Sequence, residues 1–266
     1  MHASLLTRDG MRVAYYVDDF TDPWTRPETI VLLHAAMSTS QCWFRMVPLL
    51  ARHYRVVRMD LRGHGASQIP APDDGFSLQH LVDDVGELLD HLGIQSAHVV
   101  GSSAGGYVAQ QWATTRPARA RTLALYASTP GLKNSRAPTW LPKIQKTGLK
   151  QFLADTIADR FDESADPDLV RWFIDQAGSN NVEFIGRFVT HMCTHDLTED
   201  LSQIRCPTLI VAAGAETLHA ASVYEDMRNR IADAQLIYYD TTGHNICDGY
   251  PERCAEDLLK FLAGRR

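Results

Sequence analysis

The sequence predicts an α/β fold: a mostly parallel, twisted sheet of about eight strands, helices on both faces, and a helical insertion. Three observations predict it. Short apolar runs alternate with amphipathic stretches over residues 29–127, and again over 208–263. Thr29–His34 and Thr208–Ala213 are apolar almost throughout, as strands buried on both faces are. Between these blocks, residues 128–201 offer no convincing strand. They instead carry Trp140, Phe152, Phe161, Trp172, Phe173, Phe184 and Phe188 in helix-like periodicity.

In chain order, Met11–Asp18 is rich in β-formers and follows a turn at Asp9-Gly10, which predicts an antiparallel edge hairpin. Thr21–Glu28, with its two prolines, is a loop. After the Thr29–His34 strand comes a small, polar stretch, then Cys42–His53 as a helix and Tyr54–Met59 as a strand. Asp60–Ser67 is a glycine-rich turn. Leu78–Leu92 repeats Leu and Val at helical spacing, with Ser77 as its N-cap and Gly93 as its stop. A strand from Ala97 breaks into small residues, and Tyr107–Thr115 reads as a helix. Arg121–Ala127, Thr208–Ala213 and Gln235–Asp240 are further strands, and helices follow at Ser222–Ala232 and Pro251–Ala263.

Composition narrows the function. The chain has 266 residues, 45% hydrophobic and 22% charged, with a net charge of −6. That balance disfavours a nucleic-acid or anionic-membrane partner. No apolar run is long enough to span a bilayer, and the first residues lack a signal-peptide core. Five scattered cysteines suit free thiols in a reducing compartment, so the expected location is cytoplasmic.

The chemistry concentrates at Gly101-Ser102-Ser103-Ala104-Gly105, a G-x-S-x-G pattern between a strand and a helix. A serine on such a strained turn projects its hydroxyl above the sheet, and only tiny neighbours let strand and helix pass that closely. The helix N-terminus then offers N–H groups to a developing oxyanion.

Five features in one order carry a resemblance to the α/β-hydrolase family. They are His34 ending a strand, Asp60-Leu61-Arg62-Gly63-His64-Gly65-Ala66-Ser67, the turn at Ser103, the strand before Gly214, and Gly243-His244 ahead of Pro251-Glu252. The layout is most similar to the enol-lactonase-like small ester and lactone hydrolases, through Arg58–Gly65, Gly106–Gln110 and His195-Asp196-Leu197 before Cys206-Pro207-Thr208-Leu209.

The resemblance implies residues 1–128 and 202–266 as the core and 129–201 as a helical cap that shapes the substrate pocket. It implies Ser103 as nucleophile and His244 as general base, with the backbone N–H groups of Ala36 and Ala104 as oxyanion hole. Ala35 stands where the family has glycine. His34, Asp60, Arg62 and His64 are expected to brace loops. The family's aspartate would fall on Thr217, which cannot be an anion, so its neighbour Glu216 becomes the expected acid. Met37, Trp140, Trp172 and Phe188 are the expected pocket residues.

The cap begins with Lys133, Arg136, Lys143, Lys146, Lys150 and Arg160 against only Asp155 and Asp159, which would suit a substrate bearing a carboxylate. No cofactor is implied, and a homodimer is compatible with the chain. His191 and His195 have zinc-like spacing but no third ligand, so no metal is expected. Cys247 reads as a packed thiol. The expected activity is hydrolysis of a small ester or lactone through an acyl-enzyme. The alternatives are a carbon–carbon bond hydrolase, a cofactor-free lyase or oxygenase on the same fold, and a noncatalytic ligand-binding scaffold.

Overall fold

The computed structural model describes residues 3–133, 135–215 and 220–265. The chain opens with an antiparallel pair, β1 (Ala3–Leu6) and β2 (Arg12–Asp18), turning at Gly10. Then come β3 (Thr29–Leu33), a short 3₁₀ turn Ser40–Trp43, α1 (Val47–Leu50) and β4 (Arg55–Met59). The single helix expected over Cys42–His53 is therefore broken. Pro48 lacks the N–H that a helix interior requires, and it sits instead in the first turn of α1, where that N–H has no partner anyway.

α2 (Leu78–His91) starts where Ser77 Oγ accepts from the His80 N–H at 3.2 Å, and the chain leaves it through Gly93 at φ 68°. β5 (Ala97–Ser102), α3 (Ala104–Thr115) and β6 (Ala120–Tyr126) follow. Between β6 and the next strand the elements are all helical: α4 (Trp140–Thr147), α5 (Leu149–Asp155), α6 (Pro167–Gly178) and α7 (Val182–Met192), with short 3₁₀ turns including Ile157–Asp159 and Thr198–Gln203. The chain closes through β7 (Thr208–Ala213), α8 (Ser222–Arg230), β8 (Ala234–Tyr239), α9 (Ile246–Gly249) and α10 (Pro251–Ala263).

Among the described residues, eight strands form one sheet in the order β1-β2-β4-β3-β5-β6-β7-β8. β2 runs antiparallel to both β1 and β4, and every pair from β4 onward in that order is parallel. Alternate residues of the central strands feed opposite faces. Val31, Leu33, Val99, Leu123 and Ile210 pack with α2, α3, α8 and the helices between β6 and β7. Ile30, Leu32, Val100, Tyr126 and Val211 pack with α1 and α10. Near-continuous apolar strands are the sequence record of these two buried faces.

One buried ion pair ties a loop to this frame. Arg62 donates to both oxygens of Asp84 in α2, at 2.7 and 2.5 Å, and to Asp9 at 2.9 Å. All five cysteines are free thiols, and no helix among the described residues is long and apolar enough to cross a membrane.

Candidate active site

Ser103 is the one residue between β5 and α3, and its backbone has φ 51° and ψ −118°. For a residue with a side chain this is a strained conformation, costing on the order of 1–3 kcal/mol. The surroundings impose it. Ser103 N–H donates to the Tyr126 carbonyl at 3.0 Å, and its own carbonyl accepts from Gly106 N–H and the Ser128 hydroxyl, each at 2.8 Å. Strand and helix also pass so closely that a Cβ on Gly101 would overlap the Gly105 carbonyl, and one on Gly105 would overlap the Leu33 carbonyl. As the first residue of α3, Ala104 has no acceptor one helical turn back for its N–H.

The loop after β3 is held from below by two buried histidines. His34 Nδ1–H donates to the Ala35 carbonyl at 2.8 Å, while Nε2 accepts from Leu61 N–H at 2.9 Å. His64 Nε2–H donates to the Ala36 carbonyl at 2.7 Å. Burial pushes the His34 imidazole down to about 3, helped by neighbouring His64, and burial lowers His64 as well. Both rings stay neutral and act as braces. Asp60 completes the brace, accepting from Ser40 N–H at 2.7 Å and Ala66 N–H at 3.0 Å. Ala35 takes no left-handed conformation, because Ser103 and Ala127 are the only non-glycine residues at positive φ among the described residues. Alanine in the glycine position therefore adds no backbone strain.

A cavity of about 70 Å³ lies above these elements. Its floor and sides include Ala35, Ala36, Met37, Ser103, His244 and Asp248, and the helical segment adds Arg136, Trp140, Phe152, Arg160 and Phe173. The structure thus brings Ser103, His244 and the Ala36 loop to one cavity. His244 stands in the loop between β8 and α9, and its own N–H donates to the Asp159 carbonyl at 3.1 Å. Glu216 lies outside the described residues.

Of the expected pocket residues, Met37 and Trp140 line the cavity and Trp172 and Phe188 do not. Trp172 packs against Phe44 with the rings tilted and their centroids 4.8 Å apart. Phe188 is fully buried with its ring 4.8 Å from that of His64. Helical periodicity marked both as inward-facing, but it does not say which neighbour an inward side chain meets. Phe152 and Phe173 take their places. Of the basic residues that open the segment, Arg136 and Arg160 reach the cavity. Arg160 is held by Thr156, donating to its carbonyl at 3.0 Å and its hydroxyl at 2.8 Å.

Asp248 is the buried cavity residue that sequence reasoning passed over. Its Oδ2 accepts from Asn245 Nδ2 at 3.0 Å, its Oδ1 has no hydrogen-bond partner among the described residues, and burial pushes its carboxyl up to about 7. The available signal was its place only four residues after His244 in the chain. Cys42 also lines the cavity, but burial raises its thiol well above the usual range and leaves it a poor nucleophile. Cys247 is buried, with its thiol raised likewise. No group of three or more His, Cys, Asp or Glu that could hold a metal occurs among the described residues.

A model of the alpha/beta hydrolase family matches residues 30–257. The 3-oxoadipate enol-lactonase 1 of Acinetobacter baylyi is 28% identical over 255 residues, covering 91% of this chain and 90% of its own. The crystal structure of a hydrolase from Pseudomonas aeruginosa PA01 superposes with a TM-score of 0.87 at 29% identity, covering 98% of each chain. An enol-lactonase from Burkholderia xenovorans, at 20% identity, shares the fold with a TM-score of 0.88 over 98% of this chain and 100% of its own.

Proposed function

The chain belongs to the alpha/beta hydrolase family, and from that premise we propose that it is a serine hydrolase cleaving small esters or lactones. The observation that carries this reading is the strained Ser103 in the same cavity as His244. Ser103 Oγ attacks the substrate carbonyl while His244 takes the hydroxyl proton. The negative charge gathers on the former carbonyl oxygen, where the N–H groups of Ala36 and Ala104 receive it. His244 then gives the proton to the leaving alkoxide, and an acyl-Ser103 ester remains. Water, deprotonated by His244, attacks that ester and releases the acid and the free serine. Glu216 orients the imidazole and offsets its positive charge. Every step moves one proton between oxygen and nitrogen.

The substrate is small, in keeping with a cavity of about 70 Å³ walled by Trp140, Phe152 and Phe173. It bears a carboxylate, received by Arg160 and Arg136 in an otherwise mostly apolar setting. Residues 129–201 serve as the cap that closes the cavity from above. The free thiols, four of the five buried, suit a cytoplasmic enzyme.

The test is a panel of small esters and lactones turned over by wild type, Ser103→Ala, His244→Ala and Glu216→Gln. The first two variants should lose roughly a thousandfold or more in kcat. Undiminished turnover by Ser103→Ala would overturn the serine mechanism. A full rate in Glu216→Gln would remove only the acid assignment.

A further inference from the structure

The helical segment donates an unusual cap to the core. Leu78 is the first residue of α2, so its N–H is among those that no intrahelical carbonyl can satisfy. It donates to Nε2 of His191, from α7, at 3.0 Å. Because a backbone N–H can only donate, that nitrogen carries a lone pair and the His191 proton sits on Nδ1. His195 Nε2 lies 2.8 Å from the same nitrogen and, while that nitrogen is unprotonated, can only donate to it, sharing its one lone pair with the Leu78 N–H. The only site at which His191 can take a second proton is therefore the lone pair that holds Leu78.

We propose that His191 is a proton-sensitive latch: neutral, it fastens the helical segment to the start of α2, and protonated, it lets go. The groups that face it favour the neutral form. Partial burial lowers its affinity for a proton, and His195 and His80 of α2 push the same way. His80 is anchored beside it, with Nδ1 3.1 Å from Ser77 Oγ. The positive end of the α2 dipole opposes a cation at that position too. Asp74, Glu183 and Arg187 line the neighbouring groove with His191 and supply charges of both signs. The Phe76 ring, with its centroid 5.2 Å away, covers one side of the imidazole.

Release matters beyond one hydrogen bond. The same helical segment supplies Trp140, Phe152 and Phe173 to the cavity, so loosening its hold on α2 loosens the cavity's roof. Other ties between segment and core do not titrate near neutrality. Arg187 donates to the Pro70 and Asp74 carbonyls at 3.0 and 2.9 Å, and Asn180 Oδ1 accepts from Gly65 N–H at 3.0 Å. Histidine protonation is thus the one acid-sensitive step among these contacts.

Amide hydrogen exchange at Leu78 tests the latch directly and needs no substrate. In wild type, protection of Leu78, corrected for intrinsic exchange, should fall by roughly tenfold or more between about pH 7.5 and about pH 5. His191→Gln keeps an acceptor oxygen near the same place without titrating, so its Leu78 protection should stay flat across that range. His195→Ala keeps the Leu78 bond, and it should show the wild-type fall displaced to higher pH because a neighbour that disfavours the proton is gone. A wild-type protection factor that does not change with pH, or the same fall in His191→Gln, would overturn the proposal.

Discussion

The backbone N–H of His244 donates to the carbonyl oxygen of Asp159 at 3.1 Å, and the next N–H, of Asn245, donates to Arg160 at 3.0 Å. The loop that presents the imidazole is therefore strapped to the 3₁₀ turn of the helical segment. Gly243 makes the approach possible, since a Cβ there would lie 2.6 Å from the Arg160 carbonyl oxygen. Gly243→Ala should displace the strap and misplace His244. Misplacement of about an ångström costs on the order of a hundredfold in rate, so kcat should fall by roughly ten- to a hundredfold while the protein stays folded. Steady-state kinetics with circular dichroism would show it.

The Ser103 turn depends on contact between backbones. Gly105→Val would drive a branched side chain into the carbonyls of Leu33 and His34. Backbone cannot yield as a side-chain tip can, so the expected loss of stability is roughly 3 kcal/mol or more. A urea unfolding midpoint close to that of wild type would contradict this.

Arg62 and Asp84 are both almost fully buried, and burial holds the Asp84 carboxyl up at about 6 even beside the guanidinium. Arg62→Met strands Asp84 without its cation and should cost roughly 3–5 kcal/mol. Arg62→Met combined with Asp84→Leu removes the stranded charge and should recover most of that loss. Denaturant melts of the two variants make the comparison.

Asp248 gives the protein a pH signature. Its carboxyl, pushed by burial from 3.8 up to about 7, holds a proton in the folded state over a range where the unfolded chain has released it. Stability from this group is full below about pH 4 and is lost as pH rises through about 7. Asp248→Asn, which cannot ionise, should therefore gain on wild type as pH rises across that window, by up to about 4 kcal/mol. Unfolding free energies at four or five pH values would check the sign and the window.

Much of this arrangement was legible in the sequence, for reasons that differ by residue. β7 and α10 begin and end where apolar run and Pro251 place them, because a doubly buried strand and a proline-led helix leave strong local marks. Ser103 was legible because its strained turn demands glycines at fixed offsets. α3 nonetheless begins at Ala104, three residues earlier than helical periodicity suggests, since Gly105 and Gly106 carry no periodic signal. α9 was missed for want of length, and Asp248 went with it. The partners of Trp172, Phe188 and Arg160 are set by how helices cross one another, which local spacing does not encode.

The covalent step proposed for Ser103 is open to one direct measurement: intact-protein and peptide mass spectrometry after brief exposure to a fluorophosphonate. The expected result is one adduct per chain, on the peptide containing Ser103, absent in Ser103→Ala and formed far more slowly in His244→Ala. An unmodified wild-type protein, or an adduct on any other residue, would contradict a nucleophilic Ser103.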